Sequence, residues 1–87
     1  MGKFRLIFRQ SVARDLRDMP RKDVVRILKR IVALSDDPRA PGCEKLSGQE
    51  RYRVRQGVYR IIYEIEDEVL AVVVVKVGHR RDIYRGR

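Results

Sequence analysis

The sequence is poor in the side chains that most often carry acid–base or metal chemistry, with one histidine and one cysteine among 87 residues. His79 alone cannot supply the pair of histidines that serves as acid and base in some ribonucleases. Cys43 has no second cysteine for a disulfide, and the two residues together are too few for a structural zinc site. A glycine-rich phosphate loop of the P-loop type is also absent. We therefore expect chemistry that needs neither a metal ion nor a cofactor.

Long apolar runs are missing as well. No stretch reaches the roughly 18 apolar residues that a transmembrane helix needs. The first residues, Met1-Gly2-Lys3-Phe4-Arg5, lack the apolar segment of a secretory signal. A lone cysteine without a secretion signal fits a reducing compartment. We expect a cytoplasmic protein with no membrane partner.

Positive charge is what the sequence has in abundance. It contains 21 Lys and Arg against 12 Asp and Glu, a net charge of +9, and the excess is present in both halves of the chain. A compact domain this basic favours nucleic acid, although an acidic protein or an anionic membrane would fit the same charge. Residues 1–87 are expected to form a single domain, and a chain this short gains stability from a bound partner.

The first half of the chain predicts a strand and two helices. Residues 4–8 suit a short strand, and residues 11–18 suit a first helix with Ser11 as its N-cap. Pro20 fits the first position of a second helix. Asp37 precedes Pro38 and should end that helix, because the residue before a proline avoids the helical region. Apolar residues recur in the second helix at three- and four-residue spacing: Val24, Ile27, Leu28, Ile31 and Leu34.

The second half changes to a period of two, which is typical of strands. Residues 41–50 are predicted to be a loop, and residues 52–56 and 59–65 alternate on either side of a turn. Residues 69–75 are continuously apolar and β-branched, so we expect a central strand buried on both faces, with Val73 in the core. The order β–α–α–β–β–β predicts an α+β fold, a small and mainly antiparallel sheet of about four strands with a two-helix hairpin packed on it.

Three arginines on two neighbouring strands form the first candidate site. Arg53 and Arg55 are two residues apart and leave the same face of one strand. Arg60 lies on the next strand, so pairing as a hairpin would bring three guanidiniums to one region. We expect Arg60 to be exposed, where it could bind a phosphate. A solvated charged face without a function would show the same pattern.

The second candidate site follows the predicted central strand and consists of His79, Arg80, Arg81 and Tyr84. Arginine binds phosphate and stabilises its charge, and we expect Arg80 to be exposed. Tyrosine can stack on an unstacked RNA base, although Tyr84 could equally anchor the C-terminal segment on the core. Arginine is a poor proton acceptor because its pKa exceeds about 12. His79 is the one side chain whose ordinary pKa lies near neutrality.

Four segments, in this order, resemble the RelE family of toxins. They are Lys45-Leu46-Ser47-Gly48, Tyr52-Arg53-Val54-Arg55, residues 57–63 and residues 77–84. The resemblance implies a RelE-like fold and a ribosome-dependent endoribonuclease that cuts messenger RNA in the A site and so inhibits translation. In that reaction the ribose 2′-OH attacks the adjacent phosphate without a metal and gives a 2′,3′-cyclic phosphate.

The resemblance also implies roles for individual residues. Arg53 and Arg55 stand where several relatives have lysines. Arg60 would contact the scissile phosphate, Arg80 would stabilise charge or act as the acid, and Tyr84 would stack on the target base.

The identity of the general base stays open at this level. The general base is either His79, which lies beside Arg80, or no single group, in which case phosphate alignment and charge stabilisation carry most of the rate. Further RNA contacts are expected from three basic residues: Lys45, Arg81 and Arg85.

The partners implied by the resemblance are a RelB-like antitoxin, messenger RNA and the A site of the 70S ribosome. The antitoxin would silence the toxin by covering its basic residues or displacing its tail. Two other functions are possible. ParE-type toxins resemble this chain and inhibit DNA gyrase by protein contact, and a non-catalytic RNA-binding module would also explain the charge. The combination of Arg60, Arg80 and Tyr84 favours the nuclease.

Overall fold

The computed structural model describes residues 2–48 and 50–79, which form a sheet and two helices. The elements are β1 (Arg5–Phe8), α1 (Gln10–Arg17), α2 (Arg21–Asp36), β2 (Cys43–Lys45), β3 (Tyr52–Gln56), β4 (Tyr59–Glu66), a 3₁₀ helix (Asp67–Val69) and β5 (Ala71–His79). The strand order is β1-β5-β4-β3-β2, with β1 parallel to β5 and all other neighbours antiparallel. The predicted α+β class is confirmed, but the sheet has five strands rather than about four.

The additional strand, β2, lies in the segment predicted to be a loop. Glu44 pairs with Arg53 of β3, and Lys45 pairs with Tyr52. A strand of three residues is too short to show a periodic signal in the sequence. β2 forms because the edge of β3 has unpaired backbone N–H and C=O groups, and a neighbouring segment can hydrogen-bond to them. The pairing places a carboxylate next to a basic strand.

The helices pack on one face of the sheet, where their apolar residues meet alternate residues of the strands. On α2, Ile27, Ile31 and Leu34 are buried, each contributing about 1.5–3 kcal/mol by leaving water. Tyr63 lies among the core residues, where its hydroxyl donates a hydrogen bond of 2.6 Å to the Pro38 carbonyl. Burial raises the pKa of this phenol. The sheet residues of the core are Val54, Ile61, Tyr63, Val72, Val74 and Val77.

β5 is an interior strand, as predicted, but it is not buried on both faces. Val72 and Val74 are fully buried, whereas Val73 and Val75 on the same strand are only half-buried. Both helices pack on one face of the sheet, and no other described helix packs on the opposite face, which we call the open face. The expectation that Val73 belongs to the core was therefore wrong.

A β-bulge interrupts β5. Its register with β4 shifts by one residue between Ile62 and Tyr63, which leaves Val75 as the extra residue. A bulge inverts the alternation of side chains beyond it, because two residues of one strand then face one residue of the other. Val74 and Val77, on either side of the bulge, accordingly both face the core.

Two side chains of α1 satisfy the backbone at the bulge. The Ser11 hydroxyl donates to the Val75 carbonyl at 3.2 Å, and the Asp15 carboxylate accepts from the Val77 N–H at 3.1 Å. Both reach β5 because residues four apart share one face of a helix. The prediction that Ser11 is the N-cap was wrong. Arg9 holds that position, and Ser11 is occupied in this tertiary contact instead.

Most element boundaries differ by one or two residues from those predicted, whereas β5 extends four residues beyond its predicted end, to His79. Pro20 is the N-cap of α2 rather than its first residue, and α2 begins at Arg21. The helix ends at Asp36, just ahead of the predicted stop before the proline. β5 begins at Ala71 because the preceding residues Asp67–Val69 form the 3₁₀ helix. Within the described part of the chain, neither helix has the length and apolarity needed to cross a bilayer.

Candidate nucleic-acid interface

The face of the sheet opposite the helices carries Arg53, Arg55 and Arg60, which we call the arginine cluster. Their chain neighbours Val54 and Ile61 lie in the core, so strand alternation directs the arginines to the other face. β3 and β4 pair as a hairpin, with Arg55 directly opposite Arg60. The predicted hairpin pairing is confirmed, and it gathers three cations from two strands on one face.

Burial differs sharply within the arginine cluster. Arg55 is exposed, the Arg53 side chain is 18% exposed, and Arg60 is only 7% exposed. The prediction of an exposed Arg60 was therefore wrong. Opposite Arg60, on β5, lies Gly78, and its missing side chain leaves room for the Arg60 side chain to lie against the sheet. Burial and the hairpin hold Arg60 more firmly than a surface arginine.

Glu44 joins the arginine cluster and was missed by the sequence reasoning. Its Oε1 accepts a hydrogen bond of 2.6 Å from Nη2 of Arg53, its partner across the β2–β3 register. This bond lowers the pKa of the Glu44 carboxyl most, and the charges of Arg53, Arg55 and Arg60 lower it further. No sequence signal pointed to Glu44, because only pairing of β2 with β3 brings it to this face.

His79 lies on the other side of the sheet from the arginine cluster. It pairs with Tyr59 across β4 and β5, and the two rings meet edge to face with centroids 6.1 Å apart. The Tyr59 hydroxyl donates to Asp23 of α2 at 2.8 Å, and this bond chiefly raises the pKa of the phenol. His79 therefore lines a helix-side cavity of about 440 Å³ whose walls include Met19 and Pro20. The structure does not bring His79 together with the arginine cluster.

Lys45 is also turned away from the cluster. Its register partner is Tyr52, which packs against the core, and neighbouring strand residues opposite each other share a face. The Lys45 ammonium lies 3.6 Å from the Glu50 carboxylate. The other predicted site residues fall outside the described residues: Arg80, Arg81, Tyr84 and Arg85.

Other cations on the same face are paired with Glu64. Arg51 Nε lies 3.1 Å from this carboxylate, and Arg9 lies 3.8 Å from it. These two ion pairs partly neutralise the sheet beside the arginine cluster. Over residues 2–48 and 50–79, no three His, Cys, Asp or Glu side chains are placed to hold a metal ion.

The chemistry available at this face is the binding of phosphate. A guanidinium can donate two hydrogen bonds to phosphate oxygens and stabilise additional negative charge on them, and Arg55 is the exposed member of the cluster. Two strands of one hairpin fix the cations relative to each other, so little reorganisation is needed when an anion binds. The arrangement suits a nucleic-acid backbone.

Comparison with known proteins places the chain in a family. The family model described as the ParE toxin of type II toxin–antitoxin system, parDE, matches residues 6–84. Toxin RelG of Mycobacterium tuberculosis is 34% identical over 82 residues, which is 90% of this chain and 92% of that protein.

Solved structures agree with this relationship. The toxin–antitoxin complex RelBE2 from Mycobacterium tuberculosis contains a chain with a TM-score of 0.81 and 28% identity, covering 92% of this chain and 94% of that one. The archaeal RelE–RelB complex from Pyrococcus horikoshii OT3 gives a TM-score of 0.78 and 26% identity, covering 90% of this chain and 96% of that one. This chain therefore belongs to the RelE/ParE superfamily and is a toxin of a type II toxin–antitoxin pair with a RelE-like fold.

Proposed function

We propose that this toxin is an endoribonuclease that cleaves messenger RNA in the ribosomal A site. The observation that supports this most is the pairing of Arg55 with Arg60 on the open face, with Arg53 beside them. Such a group of cations suits a phosphate whose charge increases during the reaction. The names of the relatives, Toxin RelG and several RelE chains, are consistent with the same class.

The proposed reaction is attack of the ribose 2′-OH on the adjacent phosphorus. Arg60, held by burial and by its strand, contacts a nonbridging oxygen, and Arg55 opposite it stabilises the charge that develops in the transition state. Arg53 aligns the neighbouring phosphate. Arg80 and Tyr84 act in charge stabilisation and base stacking in this proposal, with Arg81 and Arg85 as further backbone contacts.

The partner that regulates this activity is a RelB-like antitoxin. Solved relatives with similar folds were crystallised as RelE–RelB complexes. An antitoxin with an acidic surface would offset the charge of +9 and stabilise a small domain by mass action. Both proteins act in the cytoplasm, where the ribosomes are.

The experiment is primer extension on a defined message in programmed 70S ribosomes, with the same RNA free in solution as a control. We expect cuts at the A-site codon that appear only with ribosomes and leave a 2′,3′-cyclic phosphate. The variant Arg55→Ala, at an exposed position, should lose most of this activity while remaining folded. Intact message on intact ribosomes would contradict the proposal.

A second function is favoured by one observation, because the matching family model is that of a ParE toxin. In that case the chain would inhibit DNA gyrase by protein contact. A supercoiling assay separates the two possibilities. Gyrase inhibition that survives Arg60→Ala and Arg80→Ala, with no cleavage of ribosome-bound message, would establish the ParE activity.

A further inference from the structure

The proposed cleavage needs a proton acceptor for the 2′-OH, and the arginine cluster contains none. Arginine does not give up its proton below a pH of about 12. His79, the side chain that sequence reasoning offered, lies on the opposite side of the sheet against Tyr59. An acceptor within reach of a phosphate bound at the arginine cluster must come from the open face.

Among the described residues, Glu44 is the carboxylate that lies at the arginine cluster. It contacts Arg53 at 2.6 Å and is close enough to Arg55 and Arg60 for their charges to act on it. Its side chain is 62% exposed, so a bound RNA can reach it. Glu64, on the same face, is farther along β4 and is engaged by Arg51 and Arg9.

We infer that Glu44 is the general base of the cleavage reaction, an assignment that rests on the proposed function. The Glu44 carboxylate takes the proton of the 2′-OH, and the 2′-oxygen forms a bond to phosphorus. The bond between phosphorus and the 5′-oxygen breaks, and the leaving oxygen keeps the electron pair and takes a proton from water. The hydroxide left behind removes the proton from Glu44 and regenerates the carboxylate. The products are a 2′,3′-cyclic phosphate and a 5′-OH.

Electrostatics in the cluster are compatible with this role. The hydrogen bond from Arg53, together with the charges of Arg53, Arg55 and Arg60, lowers the pKa of Glu44 and keeps it ionised at neutral pH. A phosphate bound to the same guanidiniums brings negative charge near Glu44, which shifts its pKa back upward and makes it a stronger base. The base thus gains strength when substrate is present.

The alternative is that Glu44 only holds Arg53 in position. The two roles differ in what glutamine can replace. The amide oxygen of glutamine still accepts a hydrogen bond from Arg53 Nη2, but glutamine cannot take a proton at any physiological pH. Glu44→Gln therefore removes basicity while keeping the contact, and Glu44→Ala removes both.

The test is the single-turnover cleavage rate on programmed ribosomes, together with the affinity for a message that carries a 2′-deoxy sugar at the cut site. We expect Glu44→Gln to lower the rate by about 10²–10⁴-fold, the usual contribution of a general base, with affinity for the deoxy message unchanged. Acetate should accelerate Glu44→Ala by supplying a carboxylate from solution. Glu66→Gln, an exposed carboxylate at the far end of β4, is the matched control and should cleave like the wild type.

Three results would overturn the assignment. These are a Glu44→Gln variant that cleaves at nearly the wild-type rate, a loss that appears as weaker binding of the deoxy message, and a slow Glu44→Ala variant that acetate leaves unchanged. Urea unfolding of each variant checks that the edge strand tolerates the change. If the wild type itself leaves ribosome-bound message intact, the proposed function is wrong and the Glu44 assignment falls with it. If the wild type cuts and one of these three results is found, only the assignment of Glu44 is wrong.

Discussion

Burial distinguishes the two arginines that face each other across the β3–β4 hairpin. Arg60 is 7% exposed and Arg55 is exposed, although both belong to the arginine cluster. A buried side chain contributes to packing as well as to function, because its methylene groups are removed from water. The two positions should therefore respond differently to the same truncation.

We predict that Arg60→Ala abolishes cleavage and also lowers the free energy of unfolding by about 1–3 kcal/mol, the range for core and buried-network changes. Arg55→Ala should lower cleavage about 10²-fold or more, as the loss of one charge-stabilising donor does, with an unchanged urea midpoint. Cleavage assays and urea titrations of both variants check this. Equal midpoints for Arg60→Ala and the wild type would show that the Arg60 side chain adds nothing to stability.

At the level of elements, α1 and β5 meet at the bulge that sets the direction of the strand's last residues. Asp15 accepts hydrogen bonds from the Val77 N–H at 3.1 Å and from the Lys76 ammonium at 3.3 Å. The Asp15 side chain is 15% exposed, so the backbone donor that it satisfies is largely shielded from water. Leaving such a donor unpaired costs about 1–3 kcal/mol.

Asp15→Ala is accordingly expected to lower the unfolding free energy by about 1–3 kcal/mol, from the unpaired Val77 N–H. Ser11→Ala, which removes a 3.2 Å bond at an exposed position, should cost less. Chemical denaturation of both variants gives the comparison, and amide hydrogen exchange at Val77 should accelerate only in Asp15→Ala. Wild-type stability for Asp15→Ala would mean that the bulge is held by the sheet alone.

The two faces of β5 give a second prediction at this level. Val74 is fully buried and Val73 is half-buried on the open face. Val74→Asp should leave the chain unfolded at 25 °C, so that no cooperative unfolding transition is seen. The reason is that burying an unpaired carboxylate has a large free-energy cost. Val73→Asp should remain folded. Circular dichroism during urea titration distinguishes them, and unfolding of both variants would show that something covers the open face.

For the whole molecule, the positions of the charged residues are more informative than the net charge of +9. Cations near the arginine cluster have carboxylate partners at Glu64 and Glu44. The helices carry exposed basic residues for which the described part of the chain shows no ion pair: Arg14, Arg17, Arg21, Lys22, Arg26 and Lys29. Among the described residues, positive charge therefore lies on both sides of the molecule.

The affinity for a non-cleavable RNA should accordingly fall steeply as the salt concentration rises. The slope of log affinity against log salt concentration is about −0.7 for each phosphate neutralised on a single strand, so it measures the number of phosphate contacts. Arg55→Ala should reduce this slope by about one contact, as expected for a phosphate-binding residue. Fluorescence anisotropy between low and physiological salt measures it. An unchanged slope would remove Arg55 from the RNA interface.

The sequence alone determined the order of the elements other than β2 and the shared face of Arg53 and Arg55. It also determined most of the apolar face of α2, where Leu28 is an exception at 38% exposure. These features depend on the spacing of neighbouring residues, and the periods of helix and strand are local properties. The hairpin that places Arg60 opposite Arg55 was also predictable, because a short turn leaves the strands no other simple partner.

Only the tertiary structure decided the rest of the candidate site. A three-residue edge strand brings Glu44 to Arg53. One extra residue in β5, Val75, places His79 on the helix side of the sheet. Arg60 is buried and lies opposite Gly78. Pairing across distant segments and single-residue bulges leave no periodic trace in a sequence. A shift of one residue in a strand reverses the face of everything beyond it, and for this reason the candidate base changed from His79 to Glu44.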